Sequence, residues 1–173
     1  AAHPLLGAQW IELHNKSTND LNIGGWQISN DFNFTYTFPA NTFVGNDAYI
    51  IVHLGAGTDD ATNFFAGAGI TISDTEDALS LYNGSARTVQ TLIDFVQWDD
   101  NGTFARPGKD TLAVAANQWG LNTYVPNAIA NQSIGRDRNA TDRNVAADWD
   151  NTGGADAAAP TRRAINVTIA GAD

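Results

Sequence analysis

Cysteine is absent from the 173 residues, which excludes a catalytic thiol, a thiolate metal site and a disulfide framework. Methionine is absent too, and with it the other side chain that oxidises most readily. Lysine occurs only as Lys16 and Lys109, and glutamate only as Glu12 and Glu76. Straight-chain residues that clothe the outside of a helical bundle are therefore scarce. No apolar run approaches the ~18 residues of a membrane-crossing helix, so no membrane span is expected. Cations are few: 9 Lys and Arg face 19 Asp and Glu, a net charge of −10, and the pI is about 4.4. Such a surface repels a phosphate backbone, which argues against nucleic acid as a partner. Also missing are a G-x-S-x-G elbow, a Gly-rich phosphate loop and an H-E-x-x-H zinc motif.

What is present points to a folded β protein. Hydrophobic residues make up 43% and aromatics 10% of the chain, enough to escape disorder. At 18.4 kDa a single domain can form without covalent staples. Seventeen Asp, eighteen Asn and 16 Gly favour turns over helix interiors. The chain opens on Ala1-Ala2-His3-Pro4 without a leader, as a processed export product or an excised fragment would.

Asn-x-Ser/Thr occurs seven times, at Asn15, Asn33, Asn83, Asn101, Asn131, Asn139 and Asn166. Ser and Thr total 23 of 173, so eighteen Asn should give about two or three such triplets by chance. Asn- and Thr-rich turns inflate the count somewhat. The excess favours an exported glycoprotein carrying covalent N-glycans at the cell surface or beyond.

Alternating apolar residues mark the strands. Ile11 and Leu13 point one way and Glu12 and His14 the other. Leu21/Ile23 and Trp26/Ile28 alternate around Gly24-Gly25, and Phe34, Tyr36 and Phe38 alternate until Pro39. Tyr49 to Leu54 is continuously apolar, as in a strand covered on both faces. Gly55 to Gly69 reads as a small-residue loop, and Ile70 and Ile72 as a short strand. Leu79–Tyr82 and Arg87–Trp98 flank Asn83-Gly84, the strongest short hairpin signal. Asp110 to Asn117 can form one short helix capped by Asp110. Ser133–Arg136 reads as a short edge, Ala146–Trp149 as a packing element, and Ile165–Ile169 alternates again after a small-residue linker at 153–160. Short strands with frequent turns argue for an all-β antiparallel sandwich with one short helix at most.

Several segments together resemble the lamin tail domain family, an immunoglobulin-like β-sandwich found at the C-terminus of nuclear lamins and common in secreted microbial proteins. Trp10-Ile11-Glu12-Leu13-His14-Asn15 is similar to its W-I-E-L-x-N strand. Leu21 to Ser29 is similar to its L-x-G-W-x-L-S segment, and Tyr36-Thr37-Phe38-Pro39 to its F-x-F-P turn. Ala78–Tyr82, Ser133–Arg136 and Asp142–Trp149 complete the order. The resemblance implies a sandwich over residues 1–160, with residues 161–173 as a separate C-terminal strand.

Two departures carry a functional expectation. Family members usually begin with a V-x-I-N-E-V strand, yet only nine residues precede Trp10; and the β-patterned Ile165, Val167 and Ile169 come where members usually end. A sandwich lacking a strand has a bare edge that natural proteins fill. The tail could return to its own domain, as in a circular permutation, or enter the next copy by β-strand addition. Repeated head to tail, the second makes a homopolymer. The expectation is a structural, non-enzymatic subunit of an extracellular filament or surface assembly. The alternative is a secreted binding or adhesion module, for carbohydrate or protein, from a larger protein.

Other candidate sites are weaker. His3, His14 and His53 lack metal-ligand spacing and read as surface or interface groups. Glu12 and Glu76 could form a glycosidase-like carboxylate pair, but Glu12 reads better as a structural salt bridge to Arg106 or Arg136, whose planar fork suits a half-covered carboxylate. No cofactor is expected. Calcium, which needs six to eight oxygens, has weak candidates in Asp99, Asp100, Asp137 and Asp142. Trp119, with Tyr124 in irregular sequence, is the one aromatic suspected of recognising a ligand.

Overall fold

The computed structural model describes residues 9–99, 110–127, 133–136 and 140–150, and the backbone of 165–169. In chain order the elements are β1 (Trp10–Asn15), β2 (Leu21–Asn22), β3 (Gln27–Ser29), β4 (Thr35–Thr37), β5 (Phe43–Val44), β6 (Tyr49–His53), β7 (Asn63–Phe65), β8 (Glu76–Tyr82) and β9 (Leu92–Asp99). There follow helix α1 (Asp110–Ala115), β10 (Val125–Pro126), β11 (Gly135–Arg136), a 3₁₀ turn (Ala146–Asp148), β12 (Trp149–Asp150) and β13 (Ile165–Ile169). Two main sheets, ordered β13-β1-β6-β7 and β10-β9-β8-β3-β4, make the sandwich; β2-β5 and β11-β12 are small ribbons. The fold is the immunoglobulin-like β-sandwich expected, with one short α-helix among the described residues, at Asp110–Ala115.

Alternation sets the core. Ile11 and Leu13 pair in register with Val52 and Ile50, so all four share a face. Across the interior they join Ile28, Leu79, Leu81, Val96 and Trp98 in one buried cluster. Phe38 meets Phe64 edge-on with ring centroids 5.6 Å apart. Between β2 and β3 the chain reverses at Gly25, whose φ of +82° lies in the left-handed region open to glycine.

Several expectations are corrected. The stretch 55–69 contains β7, which runs parallel to β6 with Phe64 beside Val52. Ile72 is not in a strand, because Gln9 occupies its backbone: Gln9 Nε2 donates to the Ile72 carbonyl at 2.7 Å, and the Ile72 N–H donates to Gln9 Oε1 at 2.8 Å. The β8–β9 connection is not a two-residue turn at Asn83-Gly84, since β9 starts only at Leu92. Within it Thr91 Oγ1 accepts the Thr88 N–H and donates to the Ala86 carbonyl, while Arg87 turns away to Asp31. Finally, not every pair is antiparallel: β1–β13, β6–β7 and β9–β10 are parallel. Asp110, expected to cap α1, is its first residue, and its Oδ2 accepts the Asn122 N–H at 2.9 Å.

Candidate functional site: the seat of the terminal strand

β13 lies parallel to β1 in the same chain, with Ile165, Val167 and Ile169 in register with Ile11, Leu13 and Asn15. The sequence left two destinations open for this segment, its own domain or the next copy; here it completes its own sheet. Among the described residues it forms the edge of that sheet, and it also lies against β9 and β11. The edge of β1 supplies the hydrogen-bonding groups, and the other two elements flank the strand. Residues 1–8, which precede β1, lie outside the described residues.

Beside this seat stands a buried ionic cluster. Asp94, on β9, sits in register with Leu81 of β8 and so faces inward. Arg136 Nη2 donates to Asp94 Oδ1 at 2.7 Å, with side-chain exposures of 1% and 0%. Its Nη1 meets Asp142 Oδ2 at 2.5 Å. The guanidinium lies over the Trp149 ring, 4.7 Å from the centroid, and Trp149 is its register partner across the β11–β12 ribbon. Arg136 Nε and Trp149 Nε1 are buried without a hydrogen-bond partner.

This geometry overturns the expected Glu12–Arg136 bridge: Arg136 gives its charge to Asp94 and Asp142, carboxylates that β9 and the chain after β11 bring to it. Glu12 lies on the face of β1 turned away from the second sheet, and Arg106 lies outside the described residues. Of the four calcium candidates, two lie among the described residues. Asp142 is engaged by Arg136, and Asp99 is buried in register with Glu76. Asp100 and Asp137 are outside the described residues, among which no group of three or more His, Asp or Glu could hold a metal ion.

The outer face of the first sheet carries two imidazoles. His14 stacks on Tyr49 at 3.9 Å, and its Nε2 lies 2.9 Å from Asp47 Oδ1. Lys16 approaches the same carboxylate oxygen at 3.3 Å. Burial lowers the His14 pKa, and the Asp47 hydrogen bond opposes this only in part. Hydrogen bonds from His14 and Lys16 in turn lower that of Asp47. His14 Nδ1 is buried and unpartnered. His53 stacks on Phe65 at 4.7 Å and meets Asn63 Oδ1 at 3.1 Å. Gly57 passes so close to this ring that a Cβ there would sit 2.3 Å from Phe65. His53 pairs with Trp10 and His14 with Tyr49, so the imidazoles stand four residues apart along β1, about 13 Å, too far to act on one atom. His3 lies outside the described residues.

The glycan candidates divide by burial. Asn15 is a correction: it is 0% exposed, and its Nδ2 donates to the carbonyls of Asn19, Val44 and Gly45. Its Oδ1 accepts from the Ser17 N–H and hydroxyl, so the same Asn-Lys-Ser triplet that suggested a glycan builds a bracket between β1 and β5. Asn33 and Asn83 are exposed. Asn101, Asn131 and Asn139 lie outside the described residues, and Asn166 is described only by its backbone, in register with Glu12. Trp119 is a correction as well: it is 4% exposed, packs edge-on against Phe95, and donates its Nε1–H to the Thr123 carbonyl.

Sequence reasoning missed two acidic hubs. A lone charge inside Leu92-Ile93-Asp94-Phe95-Val96 was a signal for a buried partner. Asp31 accepts from Tyr82 Oη at 2.8 Å, from Ser80 Oγ and from Arg87; Tyr82 is pushed up to about 12, mainly by burial. Asp31 stands in a turn, so nothing local marked it.

Residues 2–100, more than half of the chain, match the family described as Lamin Tail Domain. No curated protein matches the chain.

Proposed function

The chain belongs to the lamin tail domain family, and from that premise we propose that it is a structural subunit of an extracellular, glycosylated assembly whose copies are joined by exchange of β13. The observation that carries this reading is the placement of β13. Among the described residues it stands at a sheet edge, matched to β1 over five consecutive residues. The 14 residues at 151–164 that precede it can span up to about 46 Å, enough to deliver it to a neighbour. A strand from a second copy would make the same contacts in the same seat, so the closed and exchanged forms differ chiefly in linker geometry and concentration. Glycans at exposed Asn33 and Asn83, with the acidic surface, would keep assembled copies soluble.

The test pairs a deletion with a crosslink. The full chain should assemble with rising concentration in light scattering, and a chain lacking residues 161–173 should not. With Glu12→Cys in one copy and Asn166→Cys in another, oxidation should yield a disulfide-linked dimer, because paired strands lie within reach of a disulfide. Assembly unchanged by the deletion would overturn the proposal. A monomer at every concentration would leave the secreted binding or adhesion module as the better reading.

A further inference from the structure

The seat of β13 has more than one wall. β1 offers the pairing edge, while β9 and β11 lie against the strand as well. β9 and β11 belong to different sheets and share no ladder. Arg136 on β11 reaches Asp94 on β9 at 2.7 Å, both side chains almost fully buried. Asp142 holds the guanidinium from another side, and Trp149 lies beneath it. One side chain thus ties together β9, β11, β12 and the segment around residue 142. Removing one partner of a buried ion pair strands the other charge in the interior, so this wall resists partial opening.

We propose that Arg136 is the positioning residue of the strand seat: by holding β11 against β9 it controls how readily residues 165–169 leave and how readily the same residues of a second copy enter. The occupant is that segment because the seat already matches it in parallel register over five residues. This inference rests on the strand-exchange reading and adds what governs it. It also has a thermodynamic signature. The wall is the same in the closed and the exchanged form, so weakening it leaves the final extent of exchange unchanged and alters only the rate.

The experiment uses the full chain in two fluorescently labelled batches, mixed and followed by energy transfer, with amide hydrogen exchange on the same samples. Arg136→Gln breaks the pair. Asp142→Asn is the milder variant, because it retains the Arg136–Asp94 contact. Exchange between copies should quicken on the order of a hundredfold in Arg136→Gln and about threefold in Asp142→Asn, to the same final extent. The β13 and β1 amides should lose protection while those of β8 keep theirs. Should Arg136→Gln fail to fold, Asp142→Asn alone decides. The inference is overturned if β13 protection stays at the wild-type level, or if β8 loses protection equally, which marks a general loss of stability. If β13 loosens but mixed copies never share signal at any concentration, the role of Arg136 stands and strand exchange between copies falls.

Discussion

Residues 9–99 and residues 110–150 are held by different forces. The first region has strands of up to eight residues, including β8 and β9, and a core of Ile11, Leu13, Ile28, Leu79, Leu81 and Val96 with essentially no exposure. In the second region each strand among the described residues is two residues long, and polar side chains do much of the joining. Gln97 Nε2 on β9 donates to the Thr123 carbonyl at 2.6 Å; Asp94 takes Arg136; Asp148 takes both the Arg143 side chain and its backbone N–H. Trp119, Val125, Ile134 and Trp149 add apolar anchors. The family match ends at residue 100, close to this change of character. A region built on alternation carries its own instructions in its longer strands, whereas a region whose described strands are all two residues long takes its shape from the surface on which it docks.

The sharpest way to break that contrast is to damage the first region and watch the second. Leu79→Ala removes a side chain at the centre of the core and should cost about 3–4 kcal/mol. In urea, backbone circular dichroism and the fluorescence of Trp119 and Trp149 should be lost together. A tryptophan signal outlasting the strands would show that residues 110–150 stand alone.

Next comes Asn15→Ala, which probes the polar exception inside the apolar region. Three backbone carbonyls lose their donor, and the expected cost is about 2–3 kcal/mol in chemical denaturation. Mass spectrometry of the native material should find glycans at Asn33 or Asn83 and none at Asn15. A glycan on Asn15 would contradict its bracket role.

Smaller again is Asp148→Ala, expected to cost about 1–2 kcal/mol, because one end of its ion pair, Arg143, is largely exposed. Hydrogen exchange should loosen residues 140–150 and leave β6 and β8 unchanged. An equal loss of protection in both regions would show that the two open as one unit.

The smallest effect is a pH dependence on the outer face of the first sheet. Burial holds His14 below its ordinary pKa of 6.5, so the unfolded chain binds the proton more readily than the folded one. The stability His14 contributes is then complete above about pH 6.5 and declines as pH falls toward the lowered folded value. His14→Gln should flatten thermal stability over that range; an unchanged slope would mean that protonation there is not felt.

Much of the first region was legible before any fold was known. The alternation of Ile11 with Leu13 and of Leu79 with Leu81, and the apolar run of β6, locate their strands directly, and Asp110 marks α1 within a residue or two. β7 was hidden because Asn63-Phe64-Phe65 is too short to show a period and pairs in parallel, through a partner ten or more residues away. Asn15 was misread because the letters of a glycan triplet are also those of a turn bracket; only burial separates the two. The partner of Arg136 was misread because a charge has no local preference among several carboxylates.

Hydrophobic period is a property of neighbouring residues, so the sequence by itself was sufficient for the β class, the approximate strand positions and the acidic, thiol-free surface. Pairing is a property of distant residues. Which edge receives residues 165–169, which carboxylate meets Arg136, and whether Asn15 faces solvent or three carbonyls depend on where segments far apart in the chain come to rest. Tertiary structure decided these, because burial and Coulomb attraction act over distances in space that the order of residues does not contain.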